Sequence, residues 1–204
     1  MYKYLTLLIF LTSTACFGQS FSAATAAHRE QYKADFLNSE HSPLKEVDLK
    51  DLQFYEADST YKVTANVELL HGQKTFKMPT YAGTTADYIR YAKLNFDLNG
   101  KARQLTLYRS VALASNAAYK DYLFLPFTDA TNNKETYGGG RYIDLKATAM
   151  VNGQIDLDFN KAYNPYCAYS DGYRCPIPPQ ENDLLTAIKA GEKKFTGKKK
   201  KAGE

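Results

Sequence analysis

The most regular pattern along the chain has a period of two. Val63, Ala65, Val67 and Leu69 alternate with Lys62, Thr64, Asn66 and Glu68, which predicts a strand with one buried and one wet face. Residues 88–98, 103–109 and 141–151 alternate in the same way. Residues 74–78, 121–127 and 154–160 read as further strands, 121–127 being nearly all apolar. Turn chemistry separates them. His71-Gly72 suits a tight turn, and Asn99-Gly100 and Asn152-Gly153 are strong two-residue hairpin signals. Seven strands in hairpin order predict a mainly β fold, an antiparallel meander closed as a barrel or folded as a sandwich.

Outside this region the period lengthens. Ala26, Ala27, Tyr32 and Phe36 recur at three- and four-residue spacing, predicting an N-terminal helix over 22–37 with Ser22 as its cap. Leu184, Leu185 and Ile188 predict a short C-terminal helix over 181–190, with Gly191 at the left-handed cap position. Between them, 160–180 is rich in Pro, Tyr and Cys and reads as an ordered loop. No internal repeat or second domain boundary is visible, so residues 19–195 form one β-rich domain.

The first eighteen residues read differently. One lysine, an apolar run over Leu5 to Leu11 and small residues up to Gly18 make a secretory signal peptide, with cleavage before Gln19. The run is far shorter than the ~20 residues of a bilayer span, and no later segment approaches that length. Lipid attachment at Cys16 is the alternative, weakened by Ser13 where a bulky apolar residue belongs. The expected location is therefore exported, periplasmic or extracellular. Cleavage leaves Cys167 and Cys175. An even cysteine count in an exported chain invites a disulfide, although a reduced or labile pair stays open. Closing a loop of about nine residues contributes roughly 2.5 kcal/mol.

Composition changes the picture in two ways. The 204 residues include 17 Tyr and 11 Phe but no Trp, an aromatic supply suited to strands and amphipathic pockets. The net charge of +4, from 26 Lys+Arg against 22 Asp+Glu, is concentrated at the C-terminus. Setting aside Lys3, Lys189, Lys193, Lys194 and Lys198 to Lys201 leaves 18 basic residues, and setting aside Glu192 and Glu204 leaves 20 acids. The body is thus near −2, which argues against a nucleic-acid partner. Residues 196–204 read as a flexible basic tail.

Candidate chemistry is sparse. Tyr137-Gly138-Gly139-Gly140-Arg141 offers glycines whose N–H groups can converge on an anion, with the Arg141 guanidinium beside them; a plain glycine turn is the alternative. Strand parity sets Arg90, Arg103, Arg109 and Arg141 among apolar neighbours, where they either converge on an anionic ligand or reach solvent along their stems. Asp156-x-Asp158-x-Asn160 fails as a calcium loop, because Lys161 and Cys167 stand where Gly and Glu are required. His28, His41 and His71 have no ligand spacing, and no metal site is expected. Nucleophile-elbow, zinc-protease and dinucleotide-binding motifs are absent. No cofactor follows from the sequence.

Two long stretches resemble a known family. Leu123-Phe-Leu-Pro-Phe-Thr-Asp129-Ala-Thr131 is followed by Glu135-Thr-Tyr-Gly-Gly-Gly-Arg141-Tyr-Ile-Asp144-Leu. Then come Asp158-Phe-Asn160-Lys-Ala-Tyr-Asn164-Pro-Tyr-Cys167-Ala-Tyr, Cys175-Pro-Ile-Pro-Pro179-Gln-Glu-Asn182 and Ala190-Gly-Glu192. Together they resemble the domain-of-unknown-function family numbered 1684, densely over 121–192 and more weakly over 43–120. Thr131-Asn132-Asn133 departs from the Ser-Gly pair more usual there, but Asn also accepts a left-handed turn. The resemblance implies a single unit whose signature is a polar, loop-rich region, here Asp129, Thr136, Tyr137, Arg141, Asp158, Asn160, Asn164, Cys167, Cys175, Asn182 and Glu192. It carries no activity.

The leading expectation is a small-ligand-binding module with an anionic ligand held by Tyr137, Gly139, Arg141, Asp158, Asn160, Asn164 and Glu192. One alternative is a hydrolase with Asp158 or Glu192 as base near Arg141 and the glycine N–H groups as an oxyanion cradle. Another is a structural envelope protein in which these residues pin the Cys167–Cys175 loop.

Overall fold

The computed structural model describes the backbone of residues 3–202 and side chains from Gln19 onward. The expected leader and Cys16 lie outside the residues whose side chains are described. A helix, α1, spans Lys3–Asn38; it runs through Ser22, which therefore is not a cap. Seven strands follow: β1 (Lys62–Leu69), β2 (Phe76–Pro79), β3 (Thr85–Leu98), β4 (Lys101–Ser110), β5 (Tyr122–Phe127), β6 (Arg141–Lys146) and β7 (Gln154–Asp158). All seven correspond to strands read from the sequence, β5 from an apolar run rather than from alternation. Asn99-Gly100 and Asn152-Gly153 each take positive φ at both residues, the requirement of a type I′ hairpin turn.

The strands form one antiparallel sheet in the order β6-β5-β4-β3-β1-β7, with β2 also paired to β3. The long β3 carries β4 on one side; on the other it pairs with β2 through residues 85–88 and with β1 through 92–95. A register shift between Arg90 and Ala92 marks the change. A bulge there reverses which face even-numbered residues occupy.

The sheet is curled, and it is not a closed barrel. β6 and β7 stand at opposite ends of the strand order, yet only residues 147–153 join them. Such a link spans at most about 25–30 Å, so the two edges must approach. They meet beyond β7, where Tyr142 and Tyr163 exchange two backbone hydrogen bonds of 2.9 and 3.0 Å. This bridge brings the edges together without completing a ladder, giving a half-barrel.

The concave face holds the main core. Leu94, Leu105, Leu107, Leu123, Leu125 and Leu157 are wholly buried there, joined by Leu184, Ile188 and Ala190 from the C-terminal segment. That segment is not the expected helix; a short 3-10 turn at Gln180–Asn182 is all that forms. Its backbone is used elsewhere: Thr128 N–H donates to Asn182 O, Leu184 N–H to Thr128 O, and Ala130 N–H to Thr186 O. Pairing with the chain after β5 replaces intrahelical bonds, so the 3.6-residue apolar spacing of Leu184 and Ile188 is met by an extended path. Leu185, grouped with them by that spacing, is 83% exposed.

The convex face is also covered, over part of its area, by α1 and the loop after β7. Phe36 of α1 packs among Tyr166 and Tyr169, with ring centroids 5.6 Å from each. The basic C-terminal residues, expected as a mobile tail, lie against the body as far as Lys200, whose N–H donates to Tyr169 O and whose ammonium pairs with Asp48.

Candidate functional site

The signature residues gather into a packed polar network. Arg141 begins β6 and is fully buried. Its Nη2 donates to Asp129 Oδ2 and to Ile188 O, both at 2.8 Å, and Nη1 donates to Ala190 O and Glu192 O. Asp129 in turn accepts from Thr131 N and Oγ1 and from Ile188 N. The guanidinium is therefore the clamp that holds the irregular 188–192 backbone onto the sheet, neutralised by one buried carboxylate. It faces no hollow, contrary to the sequence expectation.

The glycine run is likewise no anion cradle. Only Gly140 of the three has positive φ, its N–H donates to Tyr137 O, and Gly139 presents its carbonyl to the Tyr81 hydroxyl. A turn that must pass close to Phe127 O explains Gly140, where an added Cβ would lie 2.6 Å from that oxygen. Asn133, where the family favours a glycine-bearing pair, does take a left-handed φ of 66°. Tyr137 stacks edge-on against Tyr81.

The second stretch does reach the first, as expected, but by direct packing. Glu192 is the meeting point. Its Oε2 accepts from Asn164 N (2.8 Å) and Tyr32 Oη (3.0 Å), and Oε1 accepts from Tyr169 Oη (2.6 Å). Burial raises its pKa to about 7, against the pull of these donors. Asn164 Nδ2 reaches Lys193 O. Asn160 accepts from Asp58 N and donates to Asp58 O and Asp158 Oδ1. Asn182, wholly buried, binds Thr106 N and O together with Pro126 O. These side chains answer backbone groups that irregular chain leaves unpaired. Cys167 and Cys175 form a disulfide across eight positions.

The arginines do not converge. Arg90 pairs with Glu181 at 2.8 Å and lies over the Phe76 ring, while Arg109 lies over Tyr91. Arg103 donates to the carbonyl of its neighbour Ala102.

A hollow exists on the other face of the sheet. In β6 the residues between the core positions, Tyr142 and Asp144, point away from the concave core, as do Tyr122 and Phe124 of β5. Together with Tyr88, Tyr163 and the Tyr32–Phe36 face of α1 they line an open cavity of about 550 Å³, a size common among small-molecule sites. The rings are ordered against one another. Phe124 meets Tyr142 edge-on at 4.7 Å and Tyr88 at 5.6 Å, and Tyr142 meets Tyr163 edge-on at 5.9 Å. Tyr142 Oη donates to Pro176 O, fixing the loop after the disulfide as one wall.

Two acids, Asp35 and Asp144, lie in the lining, and Asp144 is the one bonded to these rings. Its Oδ1 accepts from Tyr163 Oη at 2.7 Å and Tyr122 Oη at 2.8 Å. It keeps solvent access through the cavity mouth. Surrounding protein pushes its carboxyl above the usual carboxylate range, and the two hydroxyls pull it back. Lys161 and Arg174 border the opening and are exposed. His28, beside them, is held below the usual imidazole value by burial first and then by Lys161. None of the seven residues expected to bind a ligand lines this cavity. Its trace in the sequence is the alternation of Tyr142 and Asp144 with Arg141 and Ile143, which marks two faces of β6 without saying which borders a hollow.

A curled antiparallel half-barrel with a helix across its convex face, enclosing an aromatic cavity, is the class of protein that these observations define. The chain belongs to the family described as protein of unknown function (DUF1684), whose sequence profile matches residues 47–193. It is similar to an uncharacterized protein of Haloarcula marismortui solved by solution NMR, with 34% identity and a TM-score of 0.66 over 86% of this chain and 95% of that one. None of the curated proteins matches this chain. Among the described residues no helix is long and apolar enough to cross a membrane, and no group of three or more His, Cys, Asp or Glu could hold a metal ion.

Proposed function

We propose that this protein is an exported module that binds a small organic molecule in the cavity on the convex face. One observation carries the reading. Tyr88, Phe124 and Tyr142 pack as a second core cluster with Met78 and Tyr108, yet with Tyr122 and Tyr163 they also border about 550 Å³ of open space whose lining includes Asp144, Lys161 and Arg174. An apolar hollow with a few convergent polar groups is the usual form of a ligand site. An anionic group on the ligand would meet Lys161 and Arg174, since Arg141 is occupied by Asp129 and three carbonyls. A carboxylate base near Arg141 has no such support: Glu192 is sealed by Tyr32 and Tyr169. The network of Arg141, Asp129, Asn182 and Glu192 favours the structural role for the signature residues, which leaves the cavity free to carry the binding.

The test is an NMR screen of the mature domain, from Gln19, against a library of small metabolites. Expected are ligand-induced shifts confined to resonances of Tyr88, Tyr142 and Tyr163. A library that moves no cavity resonance overturns the reading. Export is checked separately, by expressing the full chain and sequencing the N-terminus of the periplasmic product. Cleavage before Gln19 is expected, and a cytoplasmic, uncleaved product refutes it.

A further inference from the structure

Asp144 lacks a cationic partner. Both hydroxyls that reach it, from Tyr122 and Tyr163, fall on Oδ1. Oδ2 accepts from no described residue. No described Lys or Arg lies within ion-pair distance of either oxygen, although Lys161 and Arg174 border the same cavity and Lys146 ends the same strand. Two donors on one oxygen fix the orientation of the carboxylate and leave the other oxygen without a donor among the described residues.

The surroundings are rings. Phe124, Tyr142 and Tyr163 form a continuous series of edge-on contacts beside the acid, and Tyr88 and Tyr122 add two more rings. The faces of such rings carry negative potential and attract ammonium groups, with the greatest effect where water is partly excluded. A carboxylate among several aromatic rings is thus complementary to a small organic cation in charge, and any ring face the ligand meets adds a second attraction. The tyrosine hydroxyls that hold Oδ1 also keep these rings in place, so the arrangement is formed before any ligand arrives.

We propose that the Asp144 end of the cavity is an ammonium site, taking the cationic head of a small ligand while any anionic group of that ligand faces Lys161 and Arg174 at the mouth. This rests on the reading of the cavity as a ligand site and names the ligand class. The best fit is a zwitterion of amino-acid or betaine type, with its ammonium at Asp144 and its carboxylate toward Lys161 and Arg174.

Three probes test it on the mature domain by NMR titration: choline, its uncharged isostere 3,3-dimethyl-1-butanol, and glycine betaine. Choline and betaine are expected to bind at least tenfold more tightly than the neutral isostere. Asp144→Asn, which keeps an acceptor for the two tyrosines, is expected to abolish that preference while leaving binding of the isostere unchanged. Affinity for choline is expected to fall on acidification more steeply in the wild type than in Asp144→Asn, the other titratable groups of the lining, His28 and Asp35, being common to both. Equal affinity for choline and the isostere, or a preference that survives in Asp144→Asn, overturns the ammonium site while leaving the cavity as a ligand site. Failure of all three probes overturns the ammonium site, and whether other small molecules move the cavity resonances then decides the broader reading.

Discussion

Arg141 shows how one side chain can set a local structure. Buried without its partner, a charge costs several kcal/mol; held by Asp129 and three carbonyls, it organises the segment that follows. Arg141→Ala is expected to destabilise the domain by about 3–5 kcal/mol in urea unfolding, because Asp129 is left buried and uncompensated. Glu192 makes a second residue-scale prediction, through pH. Its folded pKa of about 7 lies above the ordinary 4.5. Between these values the folded chain holds a proton that the unfolded chain has released. Stability therefore falls as pH rises through this window, by up to about 1.4 kcal/mol per pH unit, and levels off above it. Glu192→Gln is expected to flatten that slope in denaturation curves taken from pH 4.5 to 7.5; an unchanged slope refutes the assignment. Neither role was legible in the sequence. An arginine on an apolar strand face is visible, but its partner is twelve positions away and the carbonyls are nearly fifty.

At the scale of elements, alternation, turn residues and, for β5, an apolar run located the seven strands, because a half-buried strand must repeat every two residues and one buried on both faces is apolar throughout. The same logic failed for 181–190. Helical spacing of Leu184 and Ile188 is also compatible with an irregular strand-like path, and the free backbone groups after β5 decided between them. The bulge between Arg90 and Ala92 was invisible for a related reason: nothing local marks where β3 passes from β2 to β1. The chain just after Cys175 forms a wall of the cavity through the carbonyl of Pro176. Reducing the disulfide, or Cys167→Ser with Cys175→Ser, is expected to cost about 2–3 kcal/mol. The measurement is the shift in unfolding midpoint with and without reductant, and the serine variant is expected to show none.

At the scale of the whole molecule, the docking of α1 completes the cavity. Phe36, 3% exposed, is its buried anchor, and Tyr32 adds a hydroxyl on Glu192. Phe36→Ala is expected to cost about 3–5 kcal/mol and to make α1 the first site of limited proteolysis, while the half-barrel itself persists. Simultaneous cleavage throughout the sheet and the helix would show that α1 is part of the same cooperative unit.

By itself, the sequence determined the strands, their hairpin turns, the cysteine pair and family membership, since each rests on periodicity or on residues close together in the chain. The tertiary structure alone decided that the sheet curls without closing, that the C-terminal segment is extended and that the signature residues bond to one another and to irregular backbone. It also decided which face of β5 and β6 borders a hollow. Alternation states that a strand has two faces; only the position of α1 and of the loop after β7 determines which face is sealed and which is left partly open to solvent.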